Sequence, residues 1–172
     1  MSGAIDSIDL GRMRLASGEG RTLEVAIPLG PFELGGQRYV PVPDVVPARL
    51  GISRTTGGGH ALALRFEATL TGACMRCLED ASPRFEIDVR EVSQPGSGEE
   101  LCSPYVDAGV LDLSGWAHDS LALALPATVL CEADCAGLCA VCGVALRAAG
   151  PEHSHDPEPD PRWAKLAELK FD

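Results

Sequence analysis

Leu62-Ala-Leu-Arg-Phe-Glu-Ala-Thr-Leu-Thr71, then Gly72-Ala-Cys-Met-Arg-Cys-Leu-Glu-Asp-Ala81, then Arg84-Phe-Glu-Ile-Asp-Val-Arg90, is the stretch that decides the fold. In its first part Leu62, Leu64, Phe66, Ala68 and Leu70 share one face, while Ala63, Arg65, Glu67, Thr69 and Thr71 share the other. That period of two is a half-buried strand. Phe85, Ile87 and Val89 repeat the pattern against Arg84, Glu86, Asp88 and Arg90, so a second strand follows. The join carries Cys74-x-x-Cys77. The first cysteine pair therefore sits on the connection of a hairpin, where a tight turn can aim two thiolates at one ion.

Upstream, Leu23, Val25, Ile27 and Leu29 alternate with Glu24, Ala26 and Pro28, a further half-buried strand. Pro41, Pro43 and Pro47 suit an edge strand or a loop, and Leu50 and Ile52 mark a short strand before Gly57-Gly-Gly59. Downstream, residues 93–109 are polar and Gly-rich, which reads as a mobile loop. Ser114 is placed to cap a helix over 115–124 that Pro126 ends. Residues 131–156 hold cysteines and histidines with few apolar residues, and Asp160-Pro161 opens a terminal helix to Leu169 with Trp163, Leu166 and Leu169 as its stripe. The fold expected is α+β: a mainly antiparallel β-sheet, barrel-like or open, with a short helix, a zinc-stapled cysteine-rich C-terminal segment and a terminal helix. Residues 1–130 form the β-rich domain, and 131–172 pack on it.

The chain has 172 residues, is 45% hydrophobic and only 5% aromatic, so its core is built from Leu, Val and Ala. Its net charge of −11 is unevenly placed: residues 91–146 contain acids but no Lys or Arg. Binding bare nucleic acid requires basic groups that replace phosphate counterions, and this chain is poorly supplied with them. The most apolar run, Leu121 to Leu130, is broken by Pro126 and is too short for a span. The first ten residues lack a basic n-region and an apolar h-region. Six of the seven cysteines fall in close pairs, which without an export signal favours metal binding in a reducing cytoplasm.

The ligand candidates are Cys74, Cys77, Cys131, Cys135, Cys139, Cys142, His153 and His155. Two Cys-x-x-Cys knuckles, Cys74/Cys77 and Cys139/Cys142, make a closed tetrahedral four-thiolate site. Cys131, Cys135, His153 and His155 then compose a possible second site. An alternative partition places Cys131, Cys135, Cys139 and Cys142 on one ion. In either case the zinc is structural, since four thiolates leave no position for a water. Thiol–disulfide catalysis is the competing reading, but a redox Cys-x-x-Cys opens a helix and none is expected after Cys77. Cys102 reads as a bystander, and His60 and His118 as packing or surface residues. No Ser-His-Asp spacing, phosphate loop or paired carboxylates stand out, so no enzyme is argued.

Cys74-Met-Arg-Cys77-Leu-Glu79 resembles the signature of the YceD-like family, the large ribosomal RNA subunit accumulation proteins. The similarity continues through Leu111-Asp-Leu113, Leu123-Ala-Leu-Pro126 and Asp160-Pro-Arg162, and is closest in Leu130-Cys-Glu-Ala-Asp-Cys-Ala-Gly-Leu-Cys-Ala-Val-Cys-Gly143. Where the family carries Asn-Leu-Asn and then Cys-x-Cys, this chain has Ala145-Leu-Arg147 and, after a longer spacer, His153-Ser-His155. The resemblance implies a bacterial or organellar factor for synthesis, processing or stability of 23S rRNA, without known catalysis. The acidic charge then favours a basic ribosomal protein or assembly factor as partner over direct rRNA contact. The runner-up is a thiol–disulfide or zinc-dependent enzyme acting on a protein or RNA.

Overall fold

A computed structural model describes residues 3–96 and 101–155. Its strands are β1 (Ser7–Asp9), β2 (Gly20–Pro28), β3 (Phe32–Leu34), β4 (Gln37–Pro41), β5 (Val45–Arg54), β6 (His60–Ala73), β7 (Asp80–Ala81), β8 (Arg84–Ser93), β9 (Val106–Asp107) and β10 (Val110–Asp112). Two helices follow, α1 (Leu113–Ala124) and α2 (Leu146–Ala149).

The strand β6 is the hub, pairing antiparallel with β4, β5, β7 and β8. Its register sets Leu64 opposite Leu50 on β5 and Val89 on β8. With one alternation per strand, this register puts the alternate, larger apolar side chains of the paired strands on the same face. That face is the core: Val25 and Ile27 from β2, Leu50 and Ile52 from β5, Leu62 to Leu70 at alternate positions of β6, and Ile87 from β8 are buried. Burying each large side chain contributes about 1.5–3 kcal/mol. Trp116, Ala117 and Leu121 of α1 close the core, and the helix packs on β1, β2 and β8. The opposite face is wet and carries the exposed pairs Glu24–Arg49, Arg65–Asp88 and Glu67–Arg84.

The seven-stranded sheet runs β2-β5-β6-β4-β3 with β7 and β8 also on β6. Among the described residues it stays open, and of the two shapes left open it is not the barrel. Two expectations are corrected. The stretch 93–109 is not one loop, because β9 pairs with β10, which pairs with β1 in a separate sheet. Short strands of two or three residues carry no readable alternation. The N-terminus is drawn in with them: Ile5 N–H donates to Ala26 O at 2.8 Å, and Leu113 N–H to Asp6 O at 2.9 Å. The cap of α1 is Asp112, whose Oδ1 accepts from Gly115 N–H at 2.9 Å, and Ser114 lies inside the helix. The terminal helix expected over 160–169 lies outside the described residues.

Candidate metal centre

The end of β6 is held rigidly before the first cysteine arrives. Tyr39 of β4 is fully buried, and its hydroxyl donates to Ala73 O at 2.7 Å. Its ring lies against Gly72, where a Cβ would sit 2.7 Å from Tyr39 Cε1; only glycine allows that approach. The chain then turns. Cys74 N–H donates to Glu79 O at 2.7 Å, Leu78 N–H to Cys74 O at 3.0 Å, and Arg76 N–H to Cys74 Sγ at 3.4 Å. Leu78 completes the turn in the left-handed region at φ 63°. These bonds direct both sulfurs to one side.

What meets them there is the segment 129–135. Met75 N–H donates to Val129 O at 2.9 Å, and Val129 N–H approaches Met75 Sδ at 3.4 Å. The Arg76 guanidinium donates to Cys135 O at 3.0 Å. Cys131 and Cys135 are thereby set against the first knuckle, with Cys77 and Cys131 sulfurs 3.6 Å apart and those of Cys74 and Cys135 3.7 Å apart. The four ligand atoms of Cys74, Cys77, Cys131 and Cys135 lie within 4.8 Å of one another. A tetrahedron with Zn–S bonds of about 2.3 Å has sulfur–sulfur edges of about 3.8 Å, so the cluster fits a four-thiolate ion. Cys74, Cys77 and Cys135 are buried and belong to the hydrophobic core.

The second knuckle repeats the first. Cys139 N–H donates to Val144 O at 2.8 Å, Gly143 N–H to Cys139 O at 2.8 Å, and Val141 N–H to Cys139 Sγ at 3.4 Å, with Gly143 at φ 71°. It faces the histidines. Cys142 Sγ lies 3.5 Å from His153 Nε2, which is 3.0 Å from His155 Nε2. Cys139, Cys142, His153 and His155 again hold their ligand atoms within 4.8 Å.

All eight candidate ligands thus fall into two groups of four, but partitioned differently from the expectation. Cys74 and Cys77 do not meet Cys139 and Cys142, and His153 and His155 do not meet Cys131 and Cys135; nor do the four C-terminal cysteines share one group. The cause is the pair of attachments through Met75 and Arg76, which bring residues 129–135 to the hairpin. At Gly137, φ 80° then turns the chain away. Cys102 belongs to neither group. His60 is buried beside Arg54, its Nε2 3.2 Å from the guanidinium, and His118 stacks on Phe32 at 4.4 Å.

The thiols are electrostatically divided. Burial raises the Cys74 thiol, but the N–H groups of Cys77, Arg76 and Cys131 outweigh it and bring the pKa down to about 6. Burial, and then contact with the sulfurs of Cys135, Cys77 and Cys74, push Cys131 up to about 12. In the outer group the Cys142 N–H, with His153, lowers Cys139 to about 6. Thiolates packed this closely repel one another, so one ionises and its neighbour resists. A divalent cation among the four relieves that repulsion.

The comparisons with known proteins agree with the motif. A family model described as large ribosomal RNA subunit accumulation protein YceD matches residues 62–170. A Mycobacterium bovis protein is 36% identical over 108 residues, which is 59% of this chain and 51% of its own length. A Mycobacterium tuberculosis protein gives the same values, and one from Mycobacterium leprae is 33% identical over 108 residues, 59% of this chain and 49% of its own length. All three are described as uncharacterized. The chain spans about half the length of these curated relatives. No solved structure matches.

Proposed function

This chain belongs to the YceD family of large ribosomal RNA subunit accumulation proteins, and from that premise we propose that it is a non-enzymatic, zinc-stapled factor of bacterial ribosome biogenesis, working in the cytoplasm. It supports the synthesis, processing or stability of 23S rRNA by binding a basic protein, a ribosomal protein or an assembly factor. The observation that carries the reading is the four-sulfur cluster, three of its cysteines buried, inside the family-matched region. Zinc there is closed off by Cys74, Cys77, Cys131 and Cys135, and a filled first shell has no position at which to activate water. Its role is to fasten the β6–β8 hairpin to the segment that follows α1.

The charge distribution supports a protein partner. Arg49, Arg65 and Arg84 on the wet sheet face are matched by carboxylates, in the pairs Glu24–Arg49, Arg65–Asp88 and Glu67–Arg84, so these three offer phosphates little net positive field. Around α1 lies an acidic patch: Asp119, Glu91 and Asp112 act on Tyr105, whose hydroxyl lies 3.2 Å from Asp119 Oδ2 and whose pKa is raised first by burial and then by these charges. Residues 91–146 themselves contribute no Lys or Arg. Such a field steers and orients a basic surface. Among the described residues no helix is long and apolar enough to cross a membrane.

Depleting the protein and following rRNA tests the reading. Mature 23S rRNA should fall relative to 16S rRNA, with precursor accumulating, and unchanged 23S levels and processing would sink it. Crosslinking in cells should recover a basic protein of the assembly pathway through the acidic patch. The thiol-enzyme alternative predicts instead that Cys74 and Cys77 alkylate readily in the zinc-loaded protein at neutral pH.

A further inference from the structure

We infer that Cys139, Cys142, His153 and His155 form a second metal site that binds and releases a zinc-class cation independently, while the inner four-thiolate site stays filled. This rests on the proposed zinc in the inner site and adds to it a regulated element, the segment 139–155, ordered by an ion the surroundings supply. The geometry fits such an ion. Zn–S and Zn–N bonds of about 2.3 and 2.0 Å in a tetrahedron give S···N edges of about 3.5 Å, and Cys142 Sγ lies 3.5 Å from His153 Nε2. Two sulfurs and two imidazole nitrogens are the donor set of zinc rather than of calcium or magnesium, which take oxygen.

Independence follows from the way the chain closes. The two groups share no ligand, and the outer one is completed within residues 139–155. Its order has little help from packing. The helix α2, between its knuckle and its histidines, buries no residue, and Cys142 and His155 are exposed. Among the described residues its attachments include Leu146 N–H donating to Gly137 O at 2.9 Å, the bridge of Ala145 to Leu138, which itself packs on the core, and Arg147 paired with Glu132 at 3.2 Å across exposed side chains. Water can therefore replace His155 and then His153 one at a time, without opening the core. Three of the inner sulfurs cannot be reached this way, because Cys74, Cys77 and Cys135 are part of that core, and Cys131 is partly buried against it. Charge adds to the contrast. Two thiolates and two neutral imidazoles balance a dication, whereas four thiolates around one leave a buried excess of negative charge beside the Arg76 guanidinium.

The test uses the full chain loaded with zinc and challenged with EDTA, read by native mass spectrometry and by iodoacetamide labelling. Two ions per chain are expected, one leaving at least about tenfold faster than the other, since its ligands are open to water and lack the buried second shell of the inner site. After the fast phase, Cys139 and Cys142 should label while Cys74, Cys77, Cys131 and Cys135 remain protected, and the sheet should keep its unfolding transition. His155→Asn should remove the fast ion and leave the slow one. Release of both ions in a single phase overturns the independence, and one ion per chain unaffected by His155→Asn overturns the second site; either result leaves the inner-site reading standing. Labelling of Cys74 and Cys77 in the untreated protein overturns both.

Discussion

The two knuckles are nearly one structure built twice. Residues 74–79 and 139–144 close with the same three bonds, at 2.7, 3.0 and 3.4 Å in the first and 2.8, 2.8 and 3.4 Å in the second. Each ends on a left-handed residue, Leu78 or Gly143. Their surroundings differ throughout. The first lies at the end of the central strand, with Tyr39 fixing Ala73, Met75 joined to Val129 and Arg76 reaching Cys135. The second stands on an exposed excursion whose fourth ligand is a solvent-facing histidine. Local backbone chemistry makes the metal turn, and the packing around it decides whether the fold depends on the ion.

That difference should be largest when a sulfur is removed. Cys135→Ser takes a ligand from the inner group and leaves a polar hydroxyl among buried sulfurs. Structural zinc contributes on the order of 10 kcal/mol in small peptides, so this variant should lose most of its stability and its cooperative urea transition. Cys142→Ser, in the exposed group, should shift the midpoint by no more than about 1 kcal/mol of stability. Equal losses in the two variants would break the comparison.

The sequence discloses the knuckles but not their partners, and the reason is physical. A spacing of two residues between cysteines specifies a local turn, readable wherever it occurs. Which pair it faces depends on contacts such as Met75 with Val129 and Arg76 with Cys135, which join residues far apart and carry no periodic signal. The same divide runs through the fold. The alternations of β2, β6 and β8 were legible, because burying one face forces a period of two. The three-residue strands β1 and β10 were not, since their pairing is decided by the chain they meet. At α1, Asp112 and Ser114 are both capping types, and the geometry of Gly115 N–H chooses the aspartate.

A second contrast lies in how each knuckle is approached. Gly72 precedes the inner one and has the Tyr39 ring against it. Gly72→Ala should cost about 1–3 kcal/mol, as overpacking does in a close-packed interior, and should weaken zinc retention by shifting Ala73 and Cys74. Tyr39→Phe keeps the ring and removes the hydroxyl, which donates to Ala73 O at 2.7 Å and lies 3.1 Å from Gln37 Oε1, so its cost should be smaller, about 1 kcal/mol. Thermal unfolding with and without EDTA separates the two effects. A Gly72→Ala chain with unchanged stability and zinc retention would show that the inner turn does not depend on the strand that delivers it.

Arg76 is what ties the inner knuckle to the far cysteines, since its side chain donates to Cys135 O and its own N–H to Cys74 Sγ. Arg76→Met keeps the length and the backbone N–H but removes the charge and one hydrogen bond, which as a charged bond is worth about 1.5–3 kcal/mol. The inner ion should then be released faster while the outer rate is unchanged. Equal acceleration of both phases would mean that the two knuckles are mechanically one unit.

The smallest effect is the sharpest test of the shared turn. Leu78 is 60% exposed and sits at φ 63°, where glycine sits in the outer knuckle at φ 71°. A left-handed non-glycine residue costs roughly 1–2 kcal/mol, and an exposed leucine returns little of it by burial. Leu78→Gly should therefore relieve the inner turn, although the added freedom of glycine in the unfolded chain takes back roughly 0.4–1 kcal/mol. The net gain should be a few tenths of a kcal/mol to about 1 kcal/mol. Gly143→Ala meets no atom within 4 Å, so any loss there measures the backbone angle alone, and the loss should appear in outer-site zinc affinity, not in the unfolding midpoint. A destabilised Leu78→Gly would mean that its exposed side chain has a packing role the outer knuckle lacks, and the two turns would then be alike in backbone only.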